Sequence, residues 1–117
     1  MRMRFLYLAA VYLIFGVQSS TAVDGYWVTD ADAGWSNDAN WTNTASAPNG
    51  TGDTARLTAV LTANRTISFS EDVTLGTLIV ENDGYILGSS GEDNKITFDN
   101  GTNSSSIRIQ DTNVAQS

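Results

Sequence analysis

From Ala55 onward the chain is written in apolar stretches too short to be helices, and this restricts its fold more than anything else in the sequence. Ala55–Leu61, Thr66–Phe69, Thr77–Val80, Tyr85–Leu87, Lys95–Phe98 and Ser106–Ile109 alternate apolar with polar residues and favour β-branched and aromatic side chains, as half-buried strands do. Between them lie Ser70–Asp72, Glu81–Gly84, Ser89–Asn94 and Asp99–Asn103. These are clusters of Asp, Asn, Ser and Gly, residues that bond their own backbone or accept left-handed dihedrals. Strands about ten residues apart, with no segment of helical period, predict an all-β fold.

Two architectures share that spacing. In a β-solenoid, successive coils stack in parallel and similar residues recur from coil to coil; Ile67, Leu87 and Ile107 stand twenty residues apart, with the pairs Leu78/Val80 and Ile96/Phe98 between them. In a small β-sandwich, neighbouring strands are joined by tight turns, and Asp83-Gly84 and Asn100-Gly101 are dipeptides suited to such hairpins. The recurrence, together with the scarcity of two-residue links, favours the start of a parallel β-helix.

All three tryptophans, Trp27, Trp35 and Trp41, precede these strands in a segment rich in Gly, Asp and Asn. Large rings placed there have two uses. The first coil of a solenoid exposes apolar side chains and strand edges that a terminal unit must cover, and a ring burying about 150 to 250 Å² does so with few residues. Alternatively, exposed ring faces flanked by carboxylates and amides contact carbohydrate. The first use makes residues 23–54 an aromatic N-terminal cap and residues 55–117 the rungs behind it.

The opening residues address the chain for export. Arg2 and Arg4 precede an uncharged apolar run from Phe5 to Val17, and Ser20-Thr21-Ala22 supplies small residues at a cleavage site, so residues 1–22 are read as a signal peptide. The run falls short of the ~20 residues that span a bilayer core, and no membrane insertion is expected after cleavage. Processing removes two of the six basic residues and none of the thirteen acidic ones. An acidic surface of that kind repels phosphate backbones, which excludes nucleic acid as a partner. The chain has no Cys and no His, so it lacks disulfides, the common zinc ligands and the most frequent general base; no cofactor, metal or catalytic residue is expected.

Trp35-Ser36 and Asn40-Trp41, Ala47-Pro48-Asn49, and Gly52-Asp53-Thr54-Ala55 before a strand resemble a recurring opening in exported bacterial proteins, the autotransporter-associated β-strand repeat and PEP-CTERM-type surface proteins. Tyr85-Ile86-Leu87-Gly88 followed by Ile96-Thr97-Phe98-Asp99-Asn100-Gly101 is similar to a later pattern of the same family. The resemblance covers about Trp27 to Ile109. It implies the N-terminal start of a right-handed parallel β-helix displayed on a bacterial cell surface, without enzymatic activity. Members continue for many rungs, whereas this sequence stops at Ser117 soon after a strand, as a truncated product would.

Other polar groups yield weaker expectations. Asp24, Asp30, Asp32 and Asp38 invite a calcium site, but their spacing misses the known loop patterns, and solvated turn carboxylates are expected. Asp53, Glu71 and Glu81 could be combined into glycosidase pairs, as could many others among thirteen acids; Asp53 is expected instead to bond the turn that enters the first strand. Asn64, Asn82, Asn94 and Asn100 lie near strand ends, where amides can form ladders between rungs. Together these readings describe a secreted or cell-surface, adhesin-like structural protein. Its partners would be an extracellular polysaccharide or host surface, and its own kind through strand edges. The competing class is a secreted carbohydrate-binding sandwich whose contacts are Trp27, Trp35 and Trp41.

Overall fold

The computed structural model describes residues 21–89 and 93–110. All but the last two residues of the signal segment lie outside that range, as does everything after Gln110. The described chain is all-β. Ten strands follow one another: β1 (Asp24–Trp27), β2 (Ala33–Gly34), β3 (Trp41–Thr42), β4 (Thr54–Leu57), β5 (Arg65–Phe69), β6 (Val73–Leu75), β7 (Thr77–Val80), β8 (Tyr85–Ser89), β9 (Ile96–Phe98) and β10 (Ser106–Ile109). Among the described residues the one helical element is a single 3₁₀ turn at Asp38–Asn40, capped by the Asn37 side chain accepting the Ala39 N–H at 3.1 Å.

These strands form three sheets, none closed on itself, with orders β10-β7-β4-β1-β3, β2-β5-β8 and β6-β9. Only the β1–β3 pair is antiparallel; the other pairings, β1–β4, β4–β7, β7–β10, β2–β5, β5–β8 and β6–β9, are parallel. Parallel partners cannot be joined by a hairpin, and the two candidate hairpin dipeptides serve another purpose. Gly84 (φ 91°) leads into β8, whose partner is the parallel β5, and Gly101 (φ 65°) lies between β9 and β10, which belong to different sheets. The left-handed residues that would close hairpins instead turn the chain from one sheet to another.

Register sets apolar side chains in columns. Gly25, Ala55, Leu78 and Ile107 are successive partners in the largest sheet, as are Trp27, Leu57, Val80 and Ile109. Ile67 lies beside Leu87, Val73 beside Ile96, and Leu75 beside Phe98. The twenty-residue step from Ile67 to Leu87 is real, but its continuation is not: Ile107 pairs with Leu78. Steps along the large sheet are 30, 23 and 29 residues, from Asp24 to Thr54 to Thr77 to Ser106. The repeat is held by hydrogen-bond register, and the turns absorb the difference in length.

The core follows the columns from one end. Trp27, Trp35, Trp41, Ala55, Leu57, Ile67, Phe69, Val73, Leu75 and Leu78 are buried and form one cluster. Each large aliphatic member contributes about 1.5 to 3 kcal/mol by leaving water. Adjacent turns meet closely at Gly76, where a Cβ would lie 2.6 Å from Asn100 Oδ1 and 2.8 Å from the Gly52 Cα. Only a residue without a side chain fits there.

Candidate functional site

The tryptophans pack against one another. Trp27 and Trp41 meet edge to face with centroids 5.3 Å apart, Trp35 and Trp41 do so at 4.7 Å, and Trp35 stacks on Phe69 of β5 at 5.0 Å. Their exposures are 0, 0 and 4% for Trp27, Trp35 and Trp41. Each indole N–H donates inward, Trp27 to the Thr29 carbonyl, Trp35 to that of Pro48 and Trp41 to that of Trp35, all at 2.8 Å. Stacking on a sugar needs an exposed ring face; the alternative use of Trp27, Trp35 and Trp41, contact with carbohydrate, finds no such face in this arrangement.

Around the cluster, each sheet edge carries something seated on it. The two residues of β3 pair with the outer edge of β1. Beside β2, Asn40 Nδ2 donates to the Gly34 carbonyl at 3.0 Å, and Asn40 is itself 7% exposed. Over β6, the Gly50 N–H donates to the Thr74 carbonyl and the Thr74 N–H donates to Asn49 Oδ1, both at 2.8 Å. An asparagine that offers both a carbonyl and an amide can complete a strand edge without being a strand. Sequence reasoning singled out the rings and passed over Asn40 and Asn49, although both stand in the motifs quoted above; an amide at a strand edge looks like any turn asparagine until register is known.

The opposite end differs. β8, β9 and β10 are the last strands of their sheets. All four residues of β10 are exposed, with Ile107 at 57% and Ile109 at 78%, and Ile86 and Leu87 of β8 stand at 47 and 38%. Ile107 and Ile109 continue the columns that begin at Gly25 and Trp27, so side chains aligned with the core reach solvent here. A small cleft of about 130 Å³ lined by Asn82, Asp83, Ile109 and Gln110 opens beside them.

Carboxylates expected to be merely solvated hold neighbouring strands and turns. Asp24 pairs with Arg56 Nε at 2.9 Å and Asp30 with Arg65 Nε at 2.8 Å, Asp32 accepts the Thr66 N–H at 2.8 Å, and Asp38 accepts that of Ala47 at 2.9 Å. Arg65, assisted by Thr62, holds the Asp30 carboxyl below its usual range. Of the carboxylates considered for glycosidase pairs, Glu71 accepts from Ser36 at 3.0 Å at the surface, and Asp53 accepts backbone N–H groups, as expected. Three of the four asparagines donate to backbone carbonyls: Asn82 to Thr58 and Asn94 to Phe69, both at 2.8 Å, and Asn100 to Ser104 at 2.7 Å. Burial pushes the Tyr85 phenol up to about 12, and its hydroxyl donates to the Ala59 carbonyl at 2.7 Å.

Comparison of the chain with protein-family models, with curated proteins and with solved structures finds no match in any of the three. Among the described residues, no three acidic groups converge where a metal ion could be held, and no helix is long and apolar enough to cross a membrane.

Proposed function

We propose that this chain is the exported, capped beginning of a parallel β-solenoid, whose role is structural display or adhesion at a bacterial surface and not catalysis. The observation that carries the reading is the parallel pairing of β1, β4, β7 and β10 in sequence order, repeated by β2-β5-β8 and β6-β9. In this reading β1–β2, β4–β6, β7–β9 and β10 are successive coils, right-handed as parallel crossovers almost always are. Within residues 23–54 the tryptophans, β3, Asn40 and Asn49 form the lid over the first coil, and the exposed ends of the columns are the surface on which a further coil stacks. The likeness to autotransporter-associated β-strand repeat proteins points the same way. Export rests on the Arg2/Arg4, apolar and Ala22 pattern.

The occupant of the exposed end is a strand of matching register, from a following coil or from a second copy. Sedimentation across a concentration series tests it. The processed chain assembles as concentration rises, and Ile107→Lys with Ile109→Lys abolishes assembly without lowering the melting temperature. A chain that stays monomeric throughout, or that binds glycans on an array through the tryptophan segment, contradicts the proposal.

A further inference from the structure

Among the described residues, Asp53 has a carboxylate whose setting is unlike that of the other acids. The residue is 8% exposed; its Oδ1 accepts the Val23 N–H at 2.9 Å and its Oδ2 accepts the Asn49 N–H at 3.0 Å. The ion pairs among the described residues join Arg56 to Asp24, Arg65 to Asp30 and Lys95 to Asp72, so no described cation reaches Asp53. A carboxylate this buried usually has a counter-charge. Val23 follows Ala22, at which the signal peptide is read to end. Thr21 and Ala22 are exposed, and they line a cleft of about 360 Å³ with Val23, Ser46, Asn49 and Asp53.

Resting on the export reading, we propose that cleavage after Ala22 supplies the missing cation, the Val23 α-ammonium, which pairs with Asp53 and locks β1 to β4. An export peptidase adds water across the Ala22–Val23 bond. The C–N bond breaks, the water oxygen joins the departing Ala22 carboxylate, and both water protons end on the Val23 nitrogen. That nitrogen needs no travel to reach its partner, because it already lies 2.9 Å from Asp53 Oδ1 while the Val23 carbonyl is held by the Thr54 N–H at 2.8 Å. Processing turns a neutral amide donor into a charged one, and charge-assisted bonds are roughly twice as strong.

The surroundings leave Asp53 as the charged group that governs the new terminus. Asp24 of β1 is engaged by Arg56 of β4, Tyr26 lies under the same guanidinium, and β3 and β7 carry no titratable side chain. Asp99 is turned to Thr51 at 3.4 Å. A carboxylate partner raises the α-amino pKa above its unfolded value of about 7.7 to 8.0. The added stability is therefore fully present below that value and is lost as pH rises through the folded one.

Two chains released from a removable fusion test this, one beginning at Val23 and one at Ala22, in which the Val23 nitrogen is a peptide amide again. At pH 6 the Val23 chain should melt roughly 4 to 8 °C higher. The gap should begin to shrink near pH 8, close as pH rises through the raised α-amino value, and vanish with Asp53→Asn. Equal melting temperatures, a gap independent of pH, or one that Asp53→Asn leaves intact would overturn the ion pair. Should Asp53→Asn not fold, NMR titration of the Val23 amine in the unsubstituted chain decides, a raised pKa supporting the pair and an ordinary one refuting it. Mass spectrometry of the exported protein separates the two premises. A terminus other than Val23 overturns the processing step; a Val23 terminus without a stability gap overturns the pairing.

Discussion

The two ends of the large sheet are built from the same columns and finished differently. One column starts at Trp27, itself one of the interlocked indoles, and the other at Gly25, closed over by Pro48, with β3, Asn40 and Asn49 seated on the neighbouring strand edges; at Ile107 and Ile109 they end in water. Burial is concentrated at the tryptophan end. One end has the dry, satisfied interior of a domain, and the other has the pattern of a core without its cover. An exposed, apolar, parallel edge invites pairing.

The largest effect is expected at the rings. Trp35→Ala should destabilise the chain by about 3 to 5 kcal/mol, measured by urea unfolding, because it removes a fully buried ring that touches Trp41 and Phe69. A loss below about 1 kcal/mol would deny the tryptophan end its structural role. Within one column, Leu57→Ala should cost about 2 to 5 kcal/mol, whereas Ile109→Ala, two partners along, should stay within about 0.5 kcal/mol. Equal costs would mean that Ile109 is covered in solution.

Smaller effects are expected at the strand edges. Asn49→Ala removes the acceptor of the Thr74 N–H, a bond open to solvent, and should cost about 0.5 to 1.5 kcal/mol; the same loss from Asn49→Asp, which keeps an acceptor, would point to the amide N–H instead. Tyr85 reports on β8 from the other end. Its phenol is held at about 12 in the folded chain, above the unfolded value of about 10. The stability it contributes is whole below pH 10 and is lost as pH rises from there towards 12. Tyr85→Phe should flatten that alkaline decline, read as melting temperature against pH.

Much of the strand inventory could be read from alternation and turn clusters. Each apolar stretch from Ala55 onward contains a strand, since period-two patterning is a local property that burial enforces. Partner choice was less accessible. The step from Ile67 to Leu87 is correct, but Ile107 lies opposite Leu78 because the turn after Phe98 sends the chain to a different sheet. Gly84 and Gly101 advertised turns without saying whether they closed hairpins or rounded corners, as both uses demand positive φ. Trp27, Trp35 and Trp41 were conspicuous by composition, yet ring burial depends on Pro48 and Phe69, whose arrival is a tertiary fact. Asp53 was legible as a residue that bonds a turn; that one of its donors is the Val23 N–H required the β1–β4 register.

Amide hydrogen exchange on the processed chain tests the contrast between the ends most directly, since it reads local opening along each strand. Protection is expected to be greatest in β1 and β4, intermediate in β7, and least in β8 and β10, and to rise in β10 as the chain assembles at high concentration. Uniform protection in the dilute monomer, or a β10 as well protected there as β4, would contradict the account.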